Sequence, residues 1–181
     1  MSFRSAMSAL TLCAILVVCQ PADAQVVPFE TSTEDAAYSP CTAQYTGTGK
    51  ATHMGKVSFE GIAIPIPTDD PLLFDWIGLS HEVTAANGDT IVMSGGGTLE
   101  LIPVDPLDPA TEFTAIWSGT FEVVGGTGRF ANVAGVPGEP LIVEAINDPF
   151  VFPPDCESDP LWTFSATIEG PIDLGRKKGK K

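Results

Sequence analysis

VVGGTGRFANVAG, residues 123–135, is the stretch on which the fold turns. Within it, Gly126-Thr127-Gly128-Arg129-Phe130-Ala131 fits G-x-G-x-x-A, the fingerprint of dinucleotide-binding proteins, and an acid, Glu144, follows eighteen residues after Gly126. That fingerprint works only where it opens a helix whose N-terminus holds the pyrophosphate. Here Gly135 and Pro137 stop any helix within about a turn and a half. The next apolar run begins at Leu141, and no crossover helix fits before it, although a parallel pair of strands needs about a dozen residues or more for one. The stretch therefore reads as a turn. Gly125, Gly126 and Gly128 are expected to supply positive φ, so that the strand before them folds over and returns. Phe130 then plugs one end of the structure, and Arg129 faces solvent or pairs with an acid. No cofactor is expected.

Outward from this turn the chain alternates with period two. In 113–123 the odd positions are Phe113, Ala115, Trp117, Gly119, Phe121 and Val123, interleaved with Thr114, Ser118, Thr120 and Glu122. In 161–169 the even positions are Trp162, Phe164, Ala166 and Ile168. Ile91, Met93, Leu99 and Leu101 share one face, as do Ile77, Leu79, His81, Val83 and Ala85. The run 43–59 alternates as well, with Tyr45, Gly47, Gly49, Ala51, His53, Val57 and Phe59 on one parity. Each pattern predicts a strand with one face to a core. Asn87-Gly88-Asp89 marks a hairpin, and the Asp/Pro-rich stretches 65–71, 103–109 and 147–160 read as longer loops. With 18 glycines and 16 prolines punctuating the runs, no amphipathic helix is convincing. The expected class is all-β, an antiparallel barrel or sandwich.

The ends of the chain read differently. Arg4, the apolar run Ala9–Cys19 and Ala22-Asp23-Ala24 have the layout of a secretory signal peptide, 1–24, cleaved between Ala24 and Gln25. The apolar run is too short to span a bilayer, and no later stretch is long and apolar enough to do so. Residues 25–40, polar and carrying Pro28 and Pro40, read as a flexible arm. The barrel domain is expected over 41–173. Arg176-Lys177-Lys178-Gly179-Lys180-Lys181 makes 174–181 a disordered basic tail.

Cys13 and Cys19 leave with the signal peptide, so Cys41 and Cys156 are expected to pair in an oxidising compartment at the periplasm, cell surface or outside the cell. A two-cysteine metal site has no nearby histidine partner. Net charge is −14, and outside the signal and the tail the only bases are Lys50, Lys56 and Arg129. Such an acidic body repels nucleic acid and anionic membranes.

Two stretches carry a resemblance. GTFEVVGGTGRFANVAG (119–135) resembles the strand, glycine turn and Arg-Phe segment of the allene oxide cyclase and dirigent barrel superfamily. TGTGKATHMGKVSFEG (46–61) resembles the opening strands of small secreted bacterial proteins with that type of barrel. The resemblance implies an eight-stranded antiparallel, calycin-like β-barrel with a central cavity. Plant members act as cyclases or steer radical coupling, often as oligomers, which leaves a homo-oligomer open here. No catalytic residue of those enzymes matches a position of this chain.

Candidate chemistry is sparse. His53 and His81, the only histidines, fall on the inward parity of their strands. Meeting inside the barrel they can bind a metal or exchange protons. The preferred reading is that each hydrogen-bonds a neighbouring strand or sits at a strand end, because metal sites need three or four ligands, and no metal site is expected. Tyr45, Trp117, Phe121 and Trp162, with Phe113 and Phe164, either form core or line a cavity for a small apolar ligand. The acids of the loops at Asp69-Asp70 and 105–109 match no calcium loop and are expected to face water. No nucleophile elbow, H-E-x-x-H, C-x-x-C or phosphate loop is present. The leading expectation is a secreted, non-enzymatic barrel that binds a small apolar molecule or presents its loops. The rivals are a cyclase or isomerase steering a reactive substrate, and an extracellular interaction module.

Overall fold

The alternating runs become strands that pair in chain order. The computed structural model describes residues 24–107, 112–152, 156 and 160–175. Its strands are β1 (Val26–Ser39), β2 (Gln44–Ala51), β3 (Gly55–Pro67), β4 (Leu73–Ala85), β5 (Thr90–Pro103), β6 (Phe113–Gly126), β7 (Ala134–Gly135), β8 (Leu141–Asn147) and β9 (Trp162–Asp173). Every pairing is antiparallel. Each long strand pairs with the next along the chain, and β1 pairs with β9 to close an up-and-down, eight-stranded barrel. β7 only adds two residue pairs, at Asp173 and Ile172, to β9. Closure leaves no long unpaired edge.

Residues 25–40 are not a flexible arm. Nearly all of them form β1, paired to β2 on one side and β9 on the other, with Phe29 1% exposed and Tyr38 3%. Glu30, Ser32, Glu34 and Asp35 are exposed, but Thr31 and Ser39 are buried at inner positions that apolar residues would have advertised. Pro28 lacks only a donor, and its carbonyl accepts from His53. Gln25, just after the expected cleavage point, is tied to the same seam: its N–H donates to Asp173 Oδ1, and its carbonyl accepts from Leu174 N–H. The signal segment 1–23 and the tail residues 176–181 lie outside the described residues.

The run 43–59 is two strands, not one. β2 and β3 pair with Ala51 opposite Gly55, and the three residues between them, Thr52, His53 and Met54, make the turn. A turn of three residues preserves odd parity, so Tyr45, Ala51, Val57 and Phe59 all point inward and the hairpin imitates one continuous strand. His53, at the turn's centre with φ 63°, leaves the sheet and is exposed.

β4 also departs from simple alternation. Its register against β5 shifts between Gly78 and His81. This β-bulge reverses the parity of the strand. His81, Val83 and Ala85 point inward as expected, but Ile77 and Leu79 face out at 45% and 56% exposure, and Trp76 takes the inner face at 4%. β5, β6 and β9 keep the expected inward faces: Ile91, Met93, Leu99 and Leu101; Phe113, Ala115, Trp117 and Phe121; Trp162 and Ile168.

The glycine turn is a turn. Gly128–Phe130 forms one 3-10 turn and no helix follows. Of the three glycines only Gly128 has positive φ, at 58°. Gly125 and Gly126 remain extended in β6, because the chain turns only after Thr127, whose N–H donates to the Thr90 carbonyl. Phe130 is 2% exposed and closes this end of the barrel together with Ile91, Leu141 and Ile172. Arg129 pairs with Asp89 at 3.3 Å. At the other end Cys41 and Cys156 form the expected disulfide, with Cα atoms 5.6 Å apart.

Candidate functional site

The barrel interior is filled at both ends and open in the middle. At the Phe130 end, Ile91, Met93 and Ile172 have no exposed surface. At the opposite end Phe150 stacks on Trp162 with ring centroids 3.9 Å apart, and Phe152 meets Phe113 and Trp162 edge-on at 5.5 Å. Between them lies a cavity of about 70 Å³. Tyr45, Phe59, Trp76, His81, Trp117 and Phe121 form its aromatic wall, and Val57, Val143 and Ile168 add aliphatic surface. No Asp, Glu, Lys or Arg lines it.

One polar pair occupies the wall. The Tyr45 hydroxyl meets His81 Nδ1 at 2.7 Å, buried on both sides. Neighbouring strands create this contact. Tyr45 on β2 lies opposite Gly61 on β3, and Gly61 lies opposite His81 on β4. A Cβ at position 61 would fall on the Tyr45 ring and hydroxyl, so glycine there is what lets the tyrosine reach across β3 to the imidazole. The His81 ring stacks against Phe121 at 5.3 Å, Tyr45 at 5.6 Å and Phe59 at 5.8 Å. Burial among these rings lowers the imidazole pKa to about 4, so it is neutral at physiological pH. Burial also pushes the Tyr45 hydroxyl well above the ordinary tyrosine range, and Tyr38 up to about 12.

Of the other polar side chains of the wall, Thr31 and Ser32 have no side-chain hydrogen bond among the described residues, and the rest are satisfied by the protein. Trp117 Nε1 donates to Asn147 Oδ1 at 2.7 Å, and Asn147 Nδ2 donates to the Thr163 carbonyl at 3.3 Å. Trp76 Nε1 donates to the carbonyls of Thr98 and Ser118. Tyr38 donates to the Ala63 carbonyl. The split in the β1–β9 ladder between Ser32 and Ala37 brings Thr33 into the seam, where its hydroxyl accepts from Ala166 N–H.

Of the residues singled out in the sequence, Tyr45, His81, Trp117 and Phe121 come together around the cavity. Trp162 does not line it; it is packed into the aromatic cap, with its indole N–H buried and unpartnered. His53 does not meet His81. It lies on the β2–β3 turn with Nε2 3.0 Å from the Pro28 carbonyl. Trp76, Phe59 and Asn147 were missed as site residues. The β4 bulge hides Trp76, Phe59 has the expected inward parity but nothing in the sequence marks it as more than core, and Asn147 falls at the edge of a stretch that reads as loop. Among the described residues, no group of three or more His, Cys, Asp or Glu side chains is placed to hold a metal. Asp70 and Asp105 accept from Leu72 and Leu107 N–H and so brace their own turns. No helix of the described residues is long and apolar enough to cross a membrane. No protein-family model, no curated protein and no solved structure matches this chain.

Proposed function

We propose that this chain is a secreted, non-enzymatic protein that binds one small apolar molecule inside its barrel. The observation that carries this reading is the uncharged, aromatic-walled cavity at the centre of an otherwise filled barrel. Its size bounds the ligand. A water needs roughly 10–15 Å³ by this measure, so about 70 Å³ holds on the order of five such groups. Drug-sized ligand pockets run to about 300–1,000 Å³. The Cys41–Cys156 bond supports an oxidising compartment, in line with the signal-like leader. The resemblance to allene oxide cyclase and dirigent barrels supports a cavity-bearing barrel but brings no catalytic residue with it. Against an enzyme stands the lack of any charged group in the cavity wall and an imidazole held far below the pH at which it would exchange protons readily.

The test is native mass spectrometry of the protein as purified, followed by titration with cyclopentane while Trp76 and Trp117 report by fluorescence. A co-purified small molecule, or a saturable change in tryptophan emission, is the expected result. A bare mass together with no saturable response would overturn the binding reading.

A further inference from the structure

Resting on that binding reading, we propose that His81 offers the cavity a fixed Nε2–H donor, so that the barrel selects a small, uncharged molecule with a carbonyl or ether oxygen over a pure hydrocarbon. A neutral imidazole has one donor nitrogen and one acceptor nitrogen, and the bond made by one assigns the other. The Tyr45 hydroxyl has a single hydrogen-bond partner, His81 Nδ1. Two arrangements satisfy that contact. In the first, the phenol donates to an unprotonated Nδ1, and the imidazole proton is on Nε2. In the second, Nδ1–H donates to the phenol oxygen. The phenol proton is then buried without an acceptor, and the Nε2 lone pair that faces the cavity has no protein donor. The first leaves one polar group unmet and the second leaves two, so the first is favoured.

The remaining group is Nε2–H. It has no hydrogen-bond partner among the described residues, although His81 is 6% exposed and lines the cavity. Three rings stacked around the imidazole hold its plane, so the donor cannot swing to a backbone carbonyl without repacking Tyr45, Phe59 and Phe121. A guest that supplies an acceptor completes the pair, whereas a hydrocarbon of the same shape leaves the donor buried and unmet. Carboxylates and amines are excluded for a separate reason: the wall holds no countercharge, and a lone buried charge is far costlier than a buried dipole.

Two measurements test this. The first is ¹⁵N NMR of the His81 ring in the unliganded protein. A protonated Nε2 and an unprotonated Nδ1 are expected, and the opposite tautomer would overturn the inference whatever binds. The second compares cyclopentanone with methylenecyclopentane, which differ only in C=O against C=CH₂. The ketone is expected to bind about tenfold tighter or better, and His81→Phe is expected to erase the difference. His81→Gln, which restores an N–H donor, should recover part of it and covers the case in which the phenylalanine variant does not fold. Equal binding of the two probes would sink the donor inference while leaving the cavity reading intact. Binding of neither would sink both.

Discussion

Lowering the pH from about 7 to about 4 sets the burial of His81 against its wish to be protonated. In the unfolded chain its pKa is near 6.5, and in the barrel burial brings it to about 4. Through that window the unfolded chain holds a proton that the folded protein lacks, so stability falls as pH falls. The loss is absent above about 6.5 and complete below about 4. At ~1.36 kcal/mol per unit, the difference between 6.5 and about 4 is worth about 3 kcal/mol. That is a large share of the roughly 5–15 kcal/mol by which most domains are stable. Among the described residues only Tyr45 faces the imidazole with a titratable group, and it stays neutral throughout the range. The assay is urea denaturation at pH steps between these limits, read by tryptophan fluorescence, on the wild type and on His81→Phe. The variant loses the Tyr45 bond and starts from a lower stability, so the comparison concerns pH slopes rather than absolute values. All other groups are common to the two proteins, so their contributions cancel in the comparison. The wild type is expected to lose about 3 kcal/mol more than the variant across the window. Equal slopes would refute the placement of a neutral, fully desolvated imidazole inside the barrel.

Three further outcomes are expected. Replacing Cys41 and Cys156 by serine frees a loop of 115 residues. In the chain-entropy model this costs up to about 5 kcal/mol, so the urea midpoint should drop sharply with the native fold retained, and an unchanged midpoint would contradict it. Gly128→Val places a branched side chain at φ 58° and against the Asp89 carboxylate, which pairs with Arg129. A loss of about 1–3 kcal/mol is expected, measured by thermal melting. Isothermal titration of the wild type with NAD should show no binding at this turn, and saturable binding would reinstate the dinucleotide reading.

The parts of the chain that were legible share one property: their strands run without interruption. In β6 and β9 the pattern of Phe113, Trp117 and Phe121, and of Trp162 and Ile168, names the inner face correctly, because neither strand carries an extra residue over those spans; the register shift of β6 against β5, at Val124, comes only after Phe121. The turn at Gly128, with no helix after it, was legible for a similar reason. Gly135 and Pro137 forbid a helix by local sterics alone, and sterics of that kind are visible in a sequence. Where the reading failed, one residue was decisive. Leu79 is the extra residue in β4, and after it every side chain changes face. His53 is the centre of a turn whose odd length disguised it as strand.

By itself, then, the sequence determined the all-β class, the turn at Gly128, most of the inward faces and the pairing of Cys41 with Cys156. These follow from local sterics, from side-chain periodicity, and from there being two cysteines left to pair. Only the tertiary structure decided that 26–39 closes the barrel, since a strand with a polar run at its centre, Glu30–Asp35, is recognised by the two ladders it completes rather than by its composition. It also decided the site. Tyr45 and His81 are 36 residues apart and meet because the registers of β2, β3 and β4 bring both level with Gly61, which has no side chain to keep them apart. Register between strands is a property of pairs of segments, set by what each buries against the other, and no single segment carries it.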